Sequence, residues 1–231
     1  MKWRLFRLDW KYAFGELIIV TLGVGIALYA DQWASQQSIK RTEIEYIERL
    51  IADLQEDQNR LDIAQGFLSR KNPSLALIYD DLCLQLPPNR DASEMIHHFN
   101  EGAILGFSQP FAQTDSYDEI LSTGSLNIIA DFQIRAELMT YYSANYTVMS
   151  RIESRITEYP KRFYELVPYS PEARITDAND IWENIKSSNI CSSVRAEQNF
   201  GEFMQVQYEE WQVRKNTFLD QLTNYLNRLT V

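Results

Sequence analysis

The sequence predicts an all-α protein: an N-terminal transmembrane helix that continues into a long helix and then an extracytoplasmic helical bundle. Three observations carry that reading. Residues 12–30 form an apolar run with Glu16 as the one formal charge inside it. From Ile44 onward apolar residues recur with helical spacing and charges fill the positions between them. No stretch alternates convincingly with period two, and no Asn-Gly hairpin signal appears.

The run from Tyr12 to Ala30 would span roughly 28 Å as a helix, close to the ~30 Å hydrocarbon thickness of a bilayer. Glu16 lies about 6 Å in from Tyr12, shallow enough for its carboxylate to reach the headgroups. Tyr12, Tyr29 and Trp33 supply interfacial aromatics at the two ends. A cleaved signal peptide fits less well, because cleavage after Ala30 would put Leu28 where a small residue is required. Lys2, Arg4, Arg7 and Lys11 precede the run, whereas no cation follows it until Lys40 and Arg41. The positive-inside rule therefore puts residues 1–11 in the cytoplasm and the rest, after the span, in the periplasm of a bacterial inner membrane.

Within the span, Glu16, Gly23, Ala27, Ala30 and Ala34 share one stripe. Gly23-x-x-x-Ala27 is a small-xxx-small pair, and Thr21-x-x-x-Gly25 forms a second on an adjacent stripe. Such residues let helix backbones approach closely in lipid, so Glu16, Gly23, Gly25 and Ala27 are the candidate membrane-helix interface. Glycine and alanine are also simply common in membrane helices.

Beyond the span, Ile44, Ile47, Ile51, Leu54, Leu61 and Leu68 fit the a and d positions of one heptad frame, with Gln58 and Gln65 at the remaining a positions. Pro73 is expected to break this helix, giving a stalk over 31–72 and a bundle over 73–231. Ser74–Leu86 and Ala92–Asn100 read as shorter helices, the second stopped by Gly102. Residues 102–115 read as an aromatic loop carrying Phe107, Pro110 and Phe111. Ser116 and Glu119 have the spacing of a capping box, and Gly124 suits a left-handed helix end. Leu126, Ile128 and Ile129 form an apolar stub. Asp131 is the expected cap of a helix from Phe132 to about Tyr159, whose buried side carries Ile134, Leu138, Tyr142, Met149, Ile152 and Ile156. Asp177 is placed to cap a short helix through Trp182. A last helix, about Val194–Leu229, buries Phe200, Met204, Tyr208, Trp211, Phe218, Leu222 and Tyr225.

Two stretches resemble an uncharacterised bacterial family of single-span membrane proteins. One is Gly15-Glu16-Leu-Ile-Ile-Val-x-Leu-Gly23-Val-x-Ile-Ala27-Leu28 with Trp33 after it, continuing into the acidic helix at Tyr46–Leu54. The other is Tyr117-Asp-Glu-Ile-Leu-Ser-Thr-Gly-Ser-Leu-Asn-Ile-Ile129, leading to Tyr141-Tyr142. Together they cover about a third of the chain. The resemblance implies membrane topology and carries no activity or catalytic residue; residues 160–231 lie outside it.

Composition narrows the function classes. The formal charge is −10 over 231 residues; four cations against Asp9 give +3 in the first 15, leaving −13 for the rest. An acidic exterior argues against nucleic acid as a partner. Two cysteines and two histidines exclude a four-cysteine zinc site and a three-histidine centre. No GxGxxG or GxxxxGK[ST] loop and no GxSxG elbow is present, so no cofactor, no catalytic residue and no enzyme activity is expected. In the pair His97-His98, His98 has Glu94 four residues before it and Glu101 three after, a spacing that could put these three side chains on one helix face to hold a divalent metal, but adjacent histidines on a helix more often split between surface and core, and no metal site is expected there. Tyr141, Tyr142 and Tyr146 with Phe107 and Phe111 make either an aromatic pocket or ordinary core. Cys83 and Cys191 either pair or stand as separate thiols: Cys83 in Leu82-Cys-Leu-Gln-Leu86 looks buried, and Cys191 in a polar serine-rich turn looks available.

The expected function is a non-catalytic, membrane-anchored interaction or scaffold protein with the lipid bilayer as one partner. It either self-associates as a homo-oligomer or serves as an accessory subunit bound to another membrane protein. The alternative is a periplasmic ligand-sensing helical bundle that acts through a partner.

Overall fold

The computed structural model describes residues 10–84, 86, 90–103, 112–167 and 178–230, with side chains from residue 14 onward. Among them the chain is helical throughout: α1 Trp10–Leu82, α2 Ala92–Ala103, α3 Asp115–Ser122, α4 Phe132–Glu153, α5 Tyr159–Leu166, α6 Ala178–Ser187 and α7 Cys191–Thr230. A 3₁₀ turn, Ser125–Ile128, links α3 to α4. The residues expected as the aromatic loop's Phe107, Pro110 and Phe111, and the expected cap Asp177, lie outside the described residues.

α1 is one helix of 73 residues, and Pro73 does not break it. A proline inside a helix loses one backbone hydrogen bond and costs about 3 kcal/mol. Here the proline lies on the exposed side, where the carbonyl it leaves unpaired can turn to water. On the inner side Leu75 and Ile78 are both 0% exposed. Burying each contributes about 1.5–3 kcal/mol, enough to offset the proline and carry the helix past it.

The same helix has two regimes. Residues 14–41 are almost entirely exposed, and burial begins at Glu43. The segment read as a stalk over 31–72 is thus free only as far as 41. From 43 to 78 it is the central helix of the bundle. Its buried seam also differs from the expected frame: the side chains at 47, 50, 54, 57, 61, 64, 68, 71, 75 and 78 face inward, while Ile44, Ile51, Gln58 and Gln65 flank it half-buried. The spacing still alternates three and four residues. Hydrophobicity alone misplaces it because Asp57 and Lys71 occupy inward positions.

α7 runs antiparallel to α1, as the pairs Lys71–Glu197, Gln65–Gln212 and Glu43–Tyr225 record. Its seam is the regular one expected, with Phe200, Met204, Tyr208, Trp211, Phe218, Leu222 and Tyr225 all buried. α4 completes a three-helix core with Leu54, Leu61, Leu138, Tyr141, Trp211 and Phe218 at its centre. At the end remote from the exposed segment, α2, α5 and α6 pack around Leu75, Ile78, Phe99, Tyr159 and Trp182 as a second core.

The local signals divide. Asp131 caps α4, accepting from the amides of Gln133 and Ile134 at 2.8 and 3.3 Å. Gly124 takes φ 66°, the left-handed turn expected after α3. α4 ends at Glu153, however, and Tyr159–Leu166 is a separate helix with Pro160 in its first turn; Ile156 between them is 48% exposed. α2 passes through Gly102 to Ala103. Glycine is needed there for contact: a Cβ would come within 2.7 Å of Leu75 Cδ2 and 3.1 Å of the Tyr159 hydroxyl.

The Ser116–Glu119 capping box does not form. Thr114 is the N-cap of α3 and makes no side-chain cap bond. Glu119 instead turns to α1, where it pairs with Arg49 and accepts from Tyr46. The start of α3 is held by α1: Asp57 accepts from the Gln113 amide at 2.6 Å and Asp53 from the Ser116 amide at 3.3 Å. Carboxylates from another helix satisfy amides that the local motif was expected to satisfy.

Candidate functional site

Two regions carry chemistry: the exposed N-terminal part of α1, and a series of buried ionisable groups along its inner seam.

In the exposed part, Leu17, Ile19 and Ile26 are 62%, 73% and 69% exposed, which water would penalise and a bilayer would not. This is the one helix, among the described residues, long and apolar enough to cross a membrane. The candidate interface residues Glu16, Gly23, Gly25 and Ala27 all lie on it, all exposed. A Cβ at Gly23 or Gly25 would meet nothing within 4 Å, so neither glycine serves packing within the chain.

The inner seam repeats ionisable residues every fourteen positions: Glu43, Asp57 and Lys71, with Leu50 and Ala64 midway between them. Fourteen residues is two heptads, which returns a side chain to the same face. Each fastens α1 to a different point of the bundle. Glu43 accepts from the Ala130 amide at 2.6 Å and from the Tyr225 hydroxyl, tying α1 to the entry of α4 and to α7. Asp57 accepts from Gln113 and, at 2.7 Å, from the Tyr141 hydroxyl of α4. Lys71 pairs with Glu197 of α7, which also accepts from Thr157 ahead of α5.

Burial sets the electrostatics of these clasps. It pushes the Asp57 carboxyl up to about 6, against the opposing pull of the Gln113 and Tyr141 bonds. Burial, reinforced by the neighbouring carboxylate, raises the Tyr141 phenol far beyond its ordinary range and Tyr225 to about 12. Burial lowers the Lys215 ammonium, which donates to Gln58 beside this cluster, while Asp57 and Asp62 pull it back up. Both oxygens of Asp57 are occupied by N–H and O–H donors, so its chemistry is that of a fastener between α1, α4 and the entry of α3. Nothing in a hydrophobicity pattern marks these residues; the fourteen-residue spacing is the one signal that could have found them.

The other candidates fall apart or resolve. His98 meets Ser74 at 3.1 Å and Glu94 at 3.8 Å, whereas Glu101 turns to Arg70 at 3.2 Å. His97 is exposed, and among the described residues no three acidic, histidine or cysteine side chains gather as a metal would require. Tyr141 and Tyr142 are core residues, Tyr142 stacked on Tyr117 with centroids 4.1 Å apart, while Tyr146 is 78% exposed. Cys83 and Cys191 are joined as a disulfide with Cα atoms 5.6 Å apart, linking the end of α1 to the first residue of α7.

No family model, curated protein or solved structure matches the chain.

Proposed function

We propose that this chain is a non-catalytic, membrane-anchored interaction protein that holds a helical bundle at a set distance from a bacterial inner membrane. The observation that carries the reading is the continuity of α1: the apolar exposed segment and the central helix of the bundle are one helix. From Ala30 to Glu43 the rise is about 20 Å, so the bundle stands clear of the lipid on a rigid strut. The N-terminus is cytoplasmic and the bundle periplasmic. Two independent features support that orientation. The basic flank Lys2, Arg4, Arg7 and Lys11 obeys the positive-inside rule. The bonded pair Cys83–Cys191 belongs in an oxidising compartment. The partners are the bilayer and either a second copy of the chain or another membrane protein, met through Glu16, Gly23, Gly25 and Ala27 in the lipid and through the bundle outside it.

The test is twofold. A periplasm-active reporter fused after Val231 should be active. Mild-detergent extraction from native membranes should yield a complex larger than one chain. An inactive reporter, or a lone monomer under every condition, would overturn the reading.

A further inference from the structure

We infer that Cys83–Cys191 is a redox latch. A dithiol that opens the bond lets the far ends of α1 and α7 part about Pro73 and Gly201, uncovering the second core. The inference goes beyond the anchored-interaction reading and holds whichever partner the bundle meets. The two cores are separate clusters. On α1 the first ends at Leu68 and the second begins at Leu75; on α7 the second ends at Val194 and the first begins at Phe200. The layer between them is polar, holding the Lys71–Glu197 pair with Thr157, and the Asn72 amide. Asn72 Oδ1 is buried there with no hydrogen-bond partner among the described residues, so opening to water relieves it.

Both helices are weakest at this level. Pro73 withholds an amide from the hydrogen-bond ladder of α1. Gly201, the one glycine of α7, faces Asn72, and a Cβ there would run into the Asn72 side-chain oxygen. Bends in helices concentrate at such residues. Beyond the layer, Arg195 lies over the Tyr79 ring at 5.6 Å, and the disulfide closes the end one turn further out.

The position of the bond suits exchange. Both cysteines are half-buried, so a reductant reaches them. Cys191 is the first residue of α7, where unpaired amides and the helix dipole favour a thiolate. Cys83 lies past the carbonyl end of α1, after Asp80 and Asp81, which disfavour one. Cys191 is therefore the better leaving group. A thiolate of the dithiol attacks Cys83 Sγ, and Cys191 leaves as a thiolate and takes up a proton. The second thiol of the reagent then attacks its own sulfur in the mixed disulfide, releasing Cys83, which is protonated in turn. The protein gains two electrons and two protons, and the dithiol becomes a disulfide.

The experiment uses full-length protein in lipid nanodiscs, with dithiothreitol as the reductant and alkylation with mass measurement to confirm that both thiols are free. Amide hydrogen exchange is read before and after. Protection over 74–82 and 191–199 should fall by about tenfold more than over 46–68 and 204–225. Cys83→Ser with Cys191→Ser should show the same difference without reductant. Adding Pro73→Ala restores the missing amide at an exposed position and should shrink the difference. An equal fall in both regions would mean that the bond restrains only the unfolded chain, and would overturn the inference. So would unchanged protection, a bond that opens only when the whole bundle unfolds, or a difference that Pro73→Ala leaves intact.

Discussion

Lys71 of α1 and Glu197 of α7 form an ion pair in the interior, 3% and 1% exposed, with Thr157 donating to the same carboxylate. Desolvating two charges is costly, and their attraction recovers that cost only while both are present. Lys71→Met alone should lower stability by about 3–5 kcal/mol, because it strands Glu197. Adding Glu197→Leu should recover most of the loss. Denaturant melts of the two variants check this, and equal destabilisation by both would refute it.

Asp57 makes a pH prediction of unusual sign. Its folded pKa, about 6, lies above the ordinary 3.8, so between those values the native state holds more protons than the unfolded chain. Acidification through that window therefore favours the fold, and the contribution is lost as pH rises through 6. Two units correspond to at most about 3 kcal/mol. Asp57→Asn should remove this dependence. The stability of wild type relative to the variant should rise as pH falls from 7 to 4, and a flat difference would refute the assignment.

Gly102 sits where α2 crosses α1. Gly102→Ala would press a methyl group on Leu75 and the Tyr159 hydroxyl, which itself donates to the Phe99 carbonyl at 3.1 Å. Overpacking of this kind costs about 1–3 kcal/mol. Leu75→Val in the same chain should relieve part of it, as thermal melts would record.

The Cys83–Cys191 bond closes a separation of 108 residues. Replacing both cysteines by serine should cost about 2–5 kcal/mol. Alkylation of unreduced protein followed by mass measurement should find no labelled thiol. Two labels would remove both the bond and one support for the proposed periplasmic placement of the bundle.

In the exposed apolar part of α1, which the proposed function assigns to the bilayer, Gly23→Ile and Ala27→Ile should weaken association while insertion persists, since a branched side chain keeps backbones apart. Crosslinking yields in native membranes read this directly. Unchanged yields for both variants would remove the small-residue stripe from the interface.

Much of the fold was legible in the residues themselves. Helical periodicity predicted the α class seen among the described residues and the buried face of α7, because a continuous buried seam repeats every three or four residues, and the charge-poor run predicted the exposed apolar segment. Asp131 and Gly124 were readable for a similar reason: a cap and a left-handed turn are satisfied within a few residues of chain. Of the candidate site, the exposed helix was visible, since an apolar run with so little charge has few other homes. Tertiary structure decided the rest. Pro73 stays helical because Leu75 and Ile78 find a core beyond it. Glu119 leaves its expected cap because Arg49 lies across from it. Cys83 and Cys191 pair because α1 and α7 run antiparallel and bring their distal ends together. Glu43, Asp57 and Lys71 face inward because the entry of α4, α4 itself and α7 present a matching amide, hydroxyl or carboxylate. A polar residue can be buried only where another element supplies its partner, and that partner lies tens of residues away in sequence, beyond the reach of any local pattern.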